Sequence, residues 1–299
     1  MLFQSACVVD LSKGQENVPI TIDGDFNQVE YPAFQYSPGN VQGPGCEIDP
    51  GEITLPGCSC LSQSCVDESC SCLKIYGQAY DSSGLLLDRY MADGAYCAPV
   101  FECNALCACS EACSNRVVER GLSFRLQVFL TRERGWGVRT PEHIHQGSFV
   151  CEYAGEVIGR DEARRRQLSQ GPGDNNYIIA VREHAGPASV TETFVDPARV
   201  GNVGRFLNHS CRPNLVMVPV RMHSALPHLA LFACRDICSG KELTFDYSGG
   251  GSRDGDTSRG SQAAIEASRT HGLQRKACYC RAQNCSGFLP LDTSVLSNL

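Results

Sequence analysis

The chain has 299 residues, 42% of them hydrophobic, enough to bury one large core or two modest ones. No run approaches the ~18 apolar residues of a membrane span, and Met1–Ser5 lacks the basic flank and apolar stretch of a secretory signal. A formal charge of −7 argues against a general nucleic-acid clamp and suits a basic partner such as a Lys/Arg-rich peptide.

Residues 1–54 are rich in Gly, Pro, Asn and acidic residues. They read as an extended, partly disordered segment with Phe34 and Tyr36 as anchors. Residues 55–118 form a cysteine-rich region split by a loop from Leu73 to Val100. Residues 121–248 read as a globular domain. Short strand-like runs recur there at Phe124–Thr131, Ser148–Tyr153, Tyr177–Arg182, Val190–Val195, Leu215–Val220, Leu229–Ala233 and Glu242–Tyr247. One helix is predicted at Arg160–Gln170, with Asp161 near its start and Gly171 past its end. Many short strands and little helix predict a mainly β fold. Gly249–Gly251 opens a Ser/Gly/Arg/Asp-rich linker over residues 249–275, with at most a weak helical turn at Ala263–Ser268. Residues 276–292 carry the last cysteine group.

Nineteen cysteines is an odd number, and without a secretory signal metal is a better explanation than a disulfide framework. The first group is Cys58, Cys60, Cys65, Cys70 and Cys72; the second is Cys103, Cys107, Cys109 and Cys113. A structural Zn²⁺ takes four ligands. Nine thiolates satisfy three ions if three of them bridge two metals each and six are terminal. The Cys-x-Cys pairs 58/60, 70/72 and 107/109 suit such a cluster, in which neighbouring thiolates serve adjacent ions. The last group, Cys278, Cys280 and Cys285, needs a fourth ligand, and spacing alone leaves Cys211, His209 and His271 open. Cys7, Cys46, Cys97, Cys151, Cys234 and Cys238 read as small buried hydrophobes. Four zincs and thirteen thiolates would move the formal charge from −7 to about −12, again favouring a cationic substrate.

Three segments stand out from the β background: Arg134-Gly135-Trp136-Gly137-Val138, Arg205-Phe206-Leu207-Asn208-His209-Ser210-Cys211-Arg212-Pro213-Asn214 and Glu242-Leu243-Thr244-Phe245-Asp246-Tyr247. In this order, flanked by these cysteines, they resemble SET-domain protein lysine methyltransferases with pre-SET and post-SET zinc modules. The resemblance covers residues ~55–292. The nine-cysteine region, and Cys103-Asn104 through Asn115-Arg116-Val117-Val118, resemble the pre-SET pattern of the heterochromatin-type (suppressor-of-variegation) branch.

The resemblance implies a SET-domain fold of small β-sheets around a pseudoknot, an exception to the usual unthreaded chain. It implies a pre-SET triangular zinc cluster over 55–118, a catalytic domain over 121–248 and a post-SET zinc segment over 276–292, with Cys211 as the missing fourth ligand. S-adenosylmethionine would be held by Arg134, Gly135, Trp136, Tyr177, Arg205, Asn208 and His209. Tyr247 resembles the catalytic tyrosine and Tyr153 the second tyrosine of the lysine channel. Phe245, two residues before Tyr247, implies room for at least a dimethyl product. The implied substrate is the histone H3 tail or nucleosome, with the lysine at tail position 36 ahead of those at positions 4 and 9, and the implied location is nuclear chromatin. No membrane partner and no direct nucleic-acid site are expected; Arg164–Arg166 reads as part of a helix face rather than a localisation signal.

The chemistry agrees with these residues. A lysine must arrive neutral although its free pKa is ~10.4, and a narrow apolar channel beside a sulfonium favours the neutral form. In-line methyl transfer then depends on positioning and electrostatics rather than a general base, so His209 is expected to orient the cofactor. A zinc-stapled reader without turnover would not need the Asn-His pair or the tyrosine. A nucleic-acid-binding zinc protein would show finger spacing with paired histidines.

Overall fold

A computed structural model of the chain describes residues 9–23, 33–61, 64–65, 69–91, 99–171, 173–186, 189–248, 275–292 and 295. In chain order the strands are β1 (Ile20–Asp23), β2 (Gln35–Tyr36), β3 (Val41–Gln42), β4 (Val100–Phe101), β5 (Leu126–Leu130), β6 (Trp136–Arg139), β7 (Phe149–Glu152), β8 (Gly155–Ile158), β9 (Ile179–Gly186), β10 (Ser189–Gly201), β11 (Asn208–His209), β12 (Leu215–Arg221), β13 (His228–Ala233) and β14 (Glu242–Phe245). Helices α1 (Ser71–Tyr76) and α2 (Arg160–Leu168) interrupt them. The fold is mainly β, as the run of short strand signals predicts.

Three sheets result. The first has the order β1-β5-β6-β14-β11, the second β2-β10-β8-β3 with β9 on β10, and the third β4-β12-β13-β7. Residues 9–23 and 33–54 are not a detached tail. β1 runs parallel to β5, β2 to β10 and β3 to β8, while β4 runs parallel to β12. The two-residue strands β2 and β3 are too short to leave a period-2 pattern, which is why composition alone reads this stretch as irregular.

β13 (His-Leu-Ala-Leu-Phe-Ala) is buried at every residue except His228, because β12 and β7 flank it and two cores press on its faces. The larger core joins Val128, Val138, Val150, Leu229, Leu231 and Leu243 beneath the first and third sheets. A second joins Tyr80, Tyr90, Val100, Phe149, Val220 and Phe232.

Helix α2 ends two residues before the predicted Gln170 and is not a solvated basic face throughout. Arg166 is buried, with Nη1 2.7 Å from Glu156 and 2.8 Å from Asp196, and Nε 2.7 Å from Glu162. These bonds tie the helix to β8 and β10, and a buried guanidinium is tolerable only when so paired. The linker over residues 249–274, with the turn expected at Ala263–Ser268, lies outside the described residues.

Candidate cofactor cleft and metal centres

A cleft of about 740 Å³ opens beside β6 and β11 and is bordered on its far side by residues 275–277 and 289–292. It gathers all seven residues expected to hold S-adenosylmethionine, Arg134, Gly135, Trp136, Tyr177, Arg205, Asn208 and His209, together with Tyr153 and Tyr247. The three sequence motifs meet through one carboxylate. Glu242 pairs with the Arg134 guanidinium and accepts a 3.0 Å hydrogen bond from Asn208 Nδ2, which also donates to the Trp136 carbonyl at 3.0 Å. Glu242 opens the third motif but carries no role in the sequence, because a Glu at the start of a strand signals nothing until its partners are in place.

The turn that delivers Trp136 is shaped by Gly135, at φ +64°, and by Thr131, whose hydroxyl donates to the Gly135 carbonyl at 2.7 Å and accepts from the Arg134 N–H at 3.0 Å. Strand β6 starts at Trp136, directly after this turn. Gly137 has a separate reason: a Cβ there would lie 3.0 Å from Glu242 Oε1 and 2.9 Å from Thr131 Cγ2.

At the inner end of the cleft three aromatic rings cluster. Phe245 packs 5.8 Å from the Tyr153 ring and 4.8 Å from the Tyr247 ring, behind the cleft wall rather than in it. The Tyr247 hydroxyl donates to the Leu207 carbonyl at 2.7 Å and the Tyr153 hydroxyl to the Tyr177 carbonyl at 2.5 Å. Burial pushes both phenols well above the ordinary tyrosine range, so both are neutral donors at neutral pH. Burial also lowers the His209 pKa. Its Nδ1 accepts the Tyr247 N–H at 3.3 Å, and Nε2 faces Cys211 Sγ at 3.4 Å. The Asp246 carboxylate, 3.6 Å from Nδ1, opposes this lowering, and burial outweighs it.

Arg205 is 7% exposed and sits among three rings, 4.3 Å from the Phe34 centroid, 4.9 Å from Tyr177 and 5.0 Å from Phe206. Its Nε donates to the Pro197 carbonyl at 3.0 Å, while the buried Nη1 has no hydrogen-bond partner among the described residues. A buried donor left open on a cleft wall fits a polar ligand that completes it.

The nine pre-SET cysteines collapse into a cluster with Leu73 as its one other buried member. Their sulfurs fall into foursomes within 4.8 Å: Cys58, Cys60, Cys65, Cys70; Cys58, Cys72, Cys103, Cys107; and Cys58, Cys65, Cys103, Cys109. Cys113 joins through a shared bond with Cys103 and accepts the Cys65 N–H at 3.2 Å. Bonding to Cys103 pulls the Cys113 thiol down to about 4, and bonding to Cys103 holds Cys72 at about 6. Burial pushes Cys107 up to about 12. Sulfurs this close cannot all ionise without cations among them, so the donor set fits zinc ions. Asn104, Asn115 and Arg116 support the sulfurs: the Asn104 N–H donates to Cys107 at 3.3 Å, the Asn115 N–H to Cys113 at 3.4 Å and Arg116 Nη2 to Cys109 at 3.6 Å.

Cys211, Cys278, Cys280 and Cys285 bring their sulfurs within 4.8 Å although 67 residues separate Cys211 from Cys278. His209 instead turns its Nδ1 toward Tyr247, and His271 lies outside the described residues. Among the scattered cysteines Cys151 is buried, Cys46 and Cys234 are half-buried, and Cys238 is exposed, contrary to its expected place in a core. Cys7 and Cys97 lie outside the described residues.

The SET domain family model matches residues 135–248 and the Pre-SET motif model residues 12–116. The chain belongs to the SET-domain histone-lysine methyltransferase family, as its fold and the meeting of its three motifs at one cleft indicate. Within that family it is similar to histone-lysine N-methyltransferase SETMAR. It is 50% identical to the human protein over 291 residues, 96% of this chain and 40% of the human one. Against the mouse protein the identity is 50% over 286 residues, 96% of this chain and 90% of that one. The chain thus spans less than half of the human relative. The methyltransferase domain of human SETMAR superposes with a TM-score of 0.80 at 47% identity, covering 95% of this chain and 98% of that one. Arabidopsis thaliana SUVH6, solved in complex with SAM, gives 0.72 at 28% identity over 95% of this chain and 56% of that one. KRYPTONITE, solved with mCHH DNA, an H3(1-15) peptide and SAH, gives 0.66 at 30% identity over 94% and 53%.

Proposed function

We propose that this chain transfers methyl groups from S-adenosylmethionine to a lysine of histone H3 in nuclear chromatin, with the lysine at tail position 36 as first choice, those at positions 4 and 9 behind it, and at least a dimethyl product. The observation that carries the reading is the convergence of Arg134–Trp136, Arg205 and Asn208–His209 with the Tyr153–Phe245–Tyr247 cluster on one cleft. Further support comes from the relatives' names and from the H3 peptide and SAH found together in KRYPTONITE.

S-adenosylmethionine supplies an electrophilic methyl on a cationic sulfur. The Asn208 and Trp136 region and the open Nη1 of Arg205 are suited to its polar groups, and Glu242 holds Arg134 and Asn208 in register around it. Tyr247, neutral and anchored on the Leu207 carbonyl, positions the lysine amine, and Tyr153 walls the other side. The amine lone pair forms the new N–C bond as the S–C bond breaks, and the ammonium proton leaves to water. Neither tyrosine is poised as a base, since burial keeps both protonated, so the work is alignment within a dry channel.

For the metals the same reading assigns three zincs to the pre-SET cluster and one to the post-SET site. Cys58, Cys65 and Cys103 each recur in more than one foursome, which suits bridging thiolates. The pairs Cys60/Cys70, Cys72/Cys107 and Cys109/Cys113 remain as terminal ligands, and Cys211 joins Cys278, Cys280 and Cys285 on the fourth ion. The experiment is transfer of labelled methyl from S-adenosylmethionine to recombinant nucleosomes carrying H3 with tail lysine 36, 4 or 9 replaced by Arg. Loss of signal on the position-36 substrate alone is expected. No transfer to any H3 would overturn the activity, and loss only with position 4 or 9 replaced would overturn the site choice.

A further inference from the structure

We propose that His143, His145 and Asp236 form a surface site for an exchangeable zinc-class divalent cation, separate from the thiolate centres. One ligand atom from each of the three lies within 4.8 Å of the others. The imidazoles of His143 and His145 meet edge to face, 4.7 Å between centroids, and His145 Nδ1 stands 3.8 Å from Asp236 Oδ1. A tetrahedral ion with bonds near 2.0–2.2 Å needs donors ~3.3 Å apart, so side-chain rotations closing about an ångström suffice. Two imidazoles and a carboxylate are the donor set that zinc, copper and nickel prefer over magnesium or calcium.

The hydrogen-bonded backbone beneath places the donors on one face. Ile144 and Ile237 form an antiparallel bridge, with N–H···O distances of 2.9 and 2.8 Å, and both side chains are buried. With Ile144 pointing inward, its neighbours His143 and His145 point outward together, and Asp236 does the same beside Ile237. The Gln146 N–H donates to Asp236 Oδ1 at 2.8 Å and orients the carboxylate, as outer-shell bonds do in metal sites. Ser239 Oγ to the Pro141 carbonyl at 2.7 Å and Gly240 N–H to the Thr140 carbonyl at 2.7 Å close the base of the platform. None of these residues lines the cofactor cleft. Three protein ligands leave a coordination position open to solvent or to a donor from outside. Exposed Cys238 occupies the register position across from His143.

The test uses the full chain without a histidine tag, its thiolate sites filled, dialysed against buffered free Zn²⁺. Zinc per chain is counted by mass spectrometry. Wild type should take up one zinc beyond the thiolate complement. His143→Ala/His145→Ala should lose that zinc, weakening uptake by more than the ~10–100-fold that loss of supporting groups costs, while Cys238→Ser keeps it. Methyl transfer and the thiolate zincs should be unchanged in both variants, showing that they fold. No extra zinc in wild type, equal uptake by the double variant, or loss on Cys238→Ser alone would each overturn the assignment.

Discussion

The cysteine cluster and the sheet core next to it are both buried, yet they are held by different forces. Under the sheets, Leu229, Leu231 and Leu243 are wholly removed from water in one core and Phe232 in the other, on the opposite face of β13. Burial of this kind stabilises in proportion to apolar area and fails gradually as single groups are removed. In the cluster nine cysteines and Leu73 make up the interior, and the segment's one α-helix among the described residues, α1, is six residues long. Little apolar area is available there, so under the proposed zinc assignment order would depend on ions that bind all their ligands at once. One interior tolerates subtraction, and the other is close to all-or-none.

The largest expected effect breaks the second interior and spares the first. Stripping zinc with a strong chelator should unfold the cluster, since structural zinc carries ~10–16 kcal/mol in small domains. Tryptic cleavage should appear within residues 58–116 before it reaches 121–248; simultaneous cleavage of both would show that the sheets have no stability of their own. Cys58→Ser, at a proposed bridging position, should release more zinc than Cys60→Ser, and equal release would contradict the bridging assignment.

Next in size is a subtraction from the apolar interior. Phe232→Ala should cost ~3–5 kcal/mol in denaturant unfolding while the zinc count stays constant. Cys211→Ala sits between the two cases, because it removes one proposed ligand of the site formed with Cys278, which follows the cleft-lining residues 275–277. Thiolate-bound zinc should fall from about four to three per chain and cofactor affinity should weaken, as read by calorimetry with S-adenosylmethionine; four thiolate-bound zincs retained would sink the Cys211 assignment. The smallest effect is Phe245→Tyr. A hydroxyl added beside Tyr153 and Tyr247 can hold a water against an already methylated amine, an effect of ~1–2 kcal/mol or roughly tenfold in relative rate. Peptide time courses by mass spectrometry should shift toward monomethyl product with the first transfer nearly unchanged.

Much of this was legible because residue type and spacing carry it. The thiolate groups, the seven strand runs and the three motifs are visible in one dimension. What was not legible depends on long-range partners. Spacing left Cys211, His209 and His271 equal as the missing donor, and only the fold sets Cys211 Sγ 4.0 Å from Cys278 Sγ. Glu242 gains meaning from Arg134, 108 residues earlier. Arg164–Arg166 looks uniformly basic and solvated until Arg166 finds Glu156 and Asp196. Strands β2 and β3 exist because β10 and β8 offer them edges, not because their own residues demand it.

Those early strands also set an order of events in synthesis. β1 borders the first sheet, β2 and β3 close both ends of the second, and β4 borders the third, and each pairs in parallel with a strand made later. Ile20 must wait for Leu126, and Gln35 for Val200. Parallel pairs of such separation form slowly, because loop closure precedes any reward. A ribosome-bound chain therefore carries unpaired borders until the last third emerges. A fragment beginning near residue 121 would never cover them, and its bare sheet margins would invite pairing with other copies.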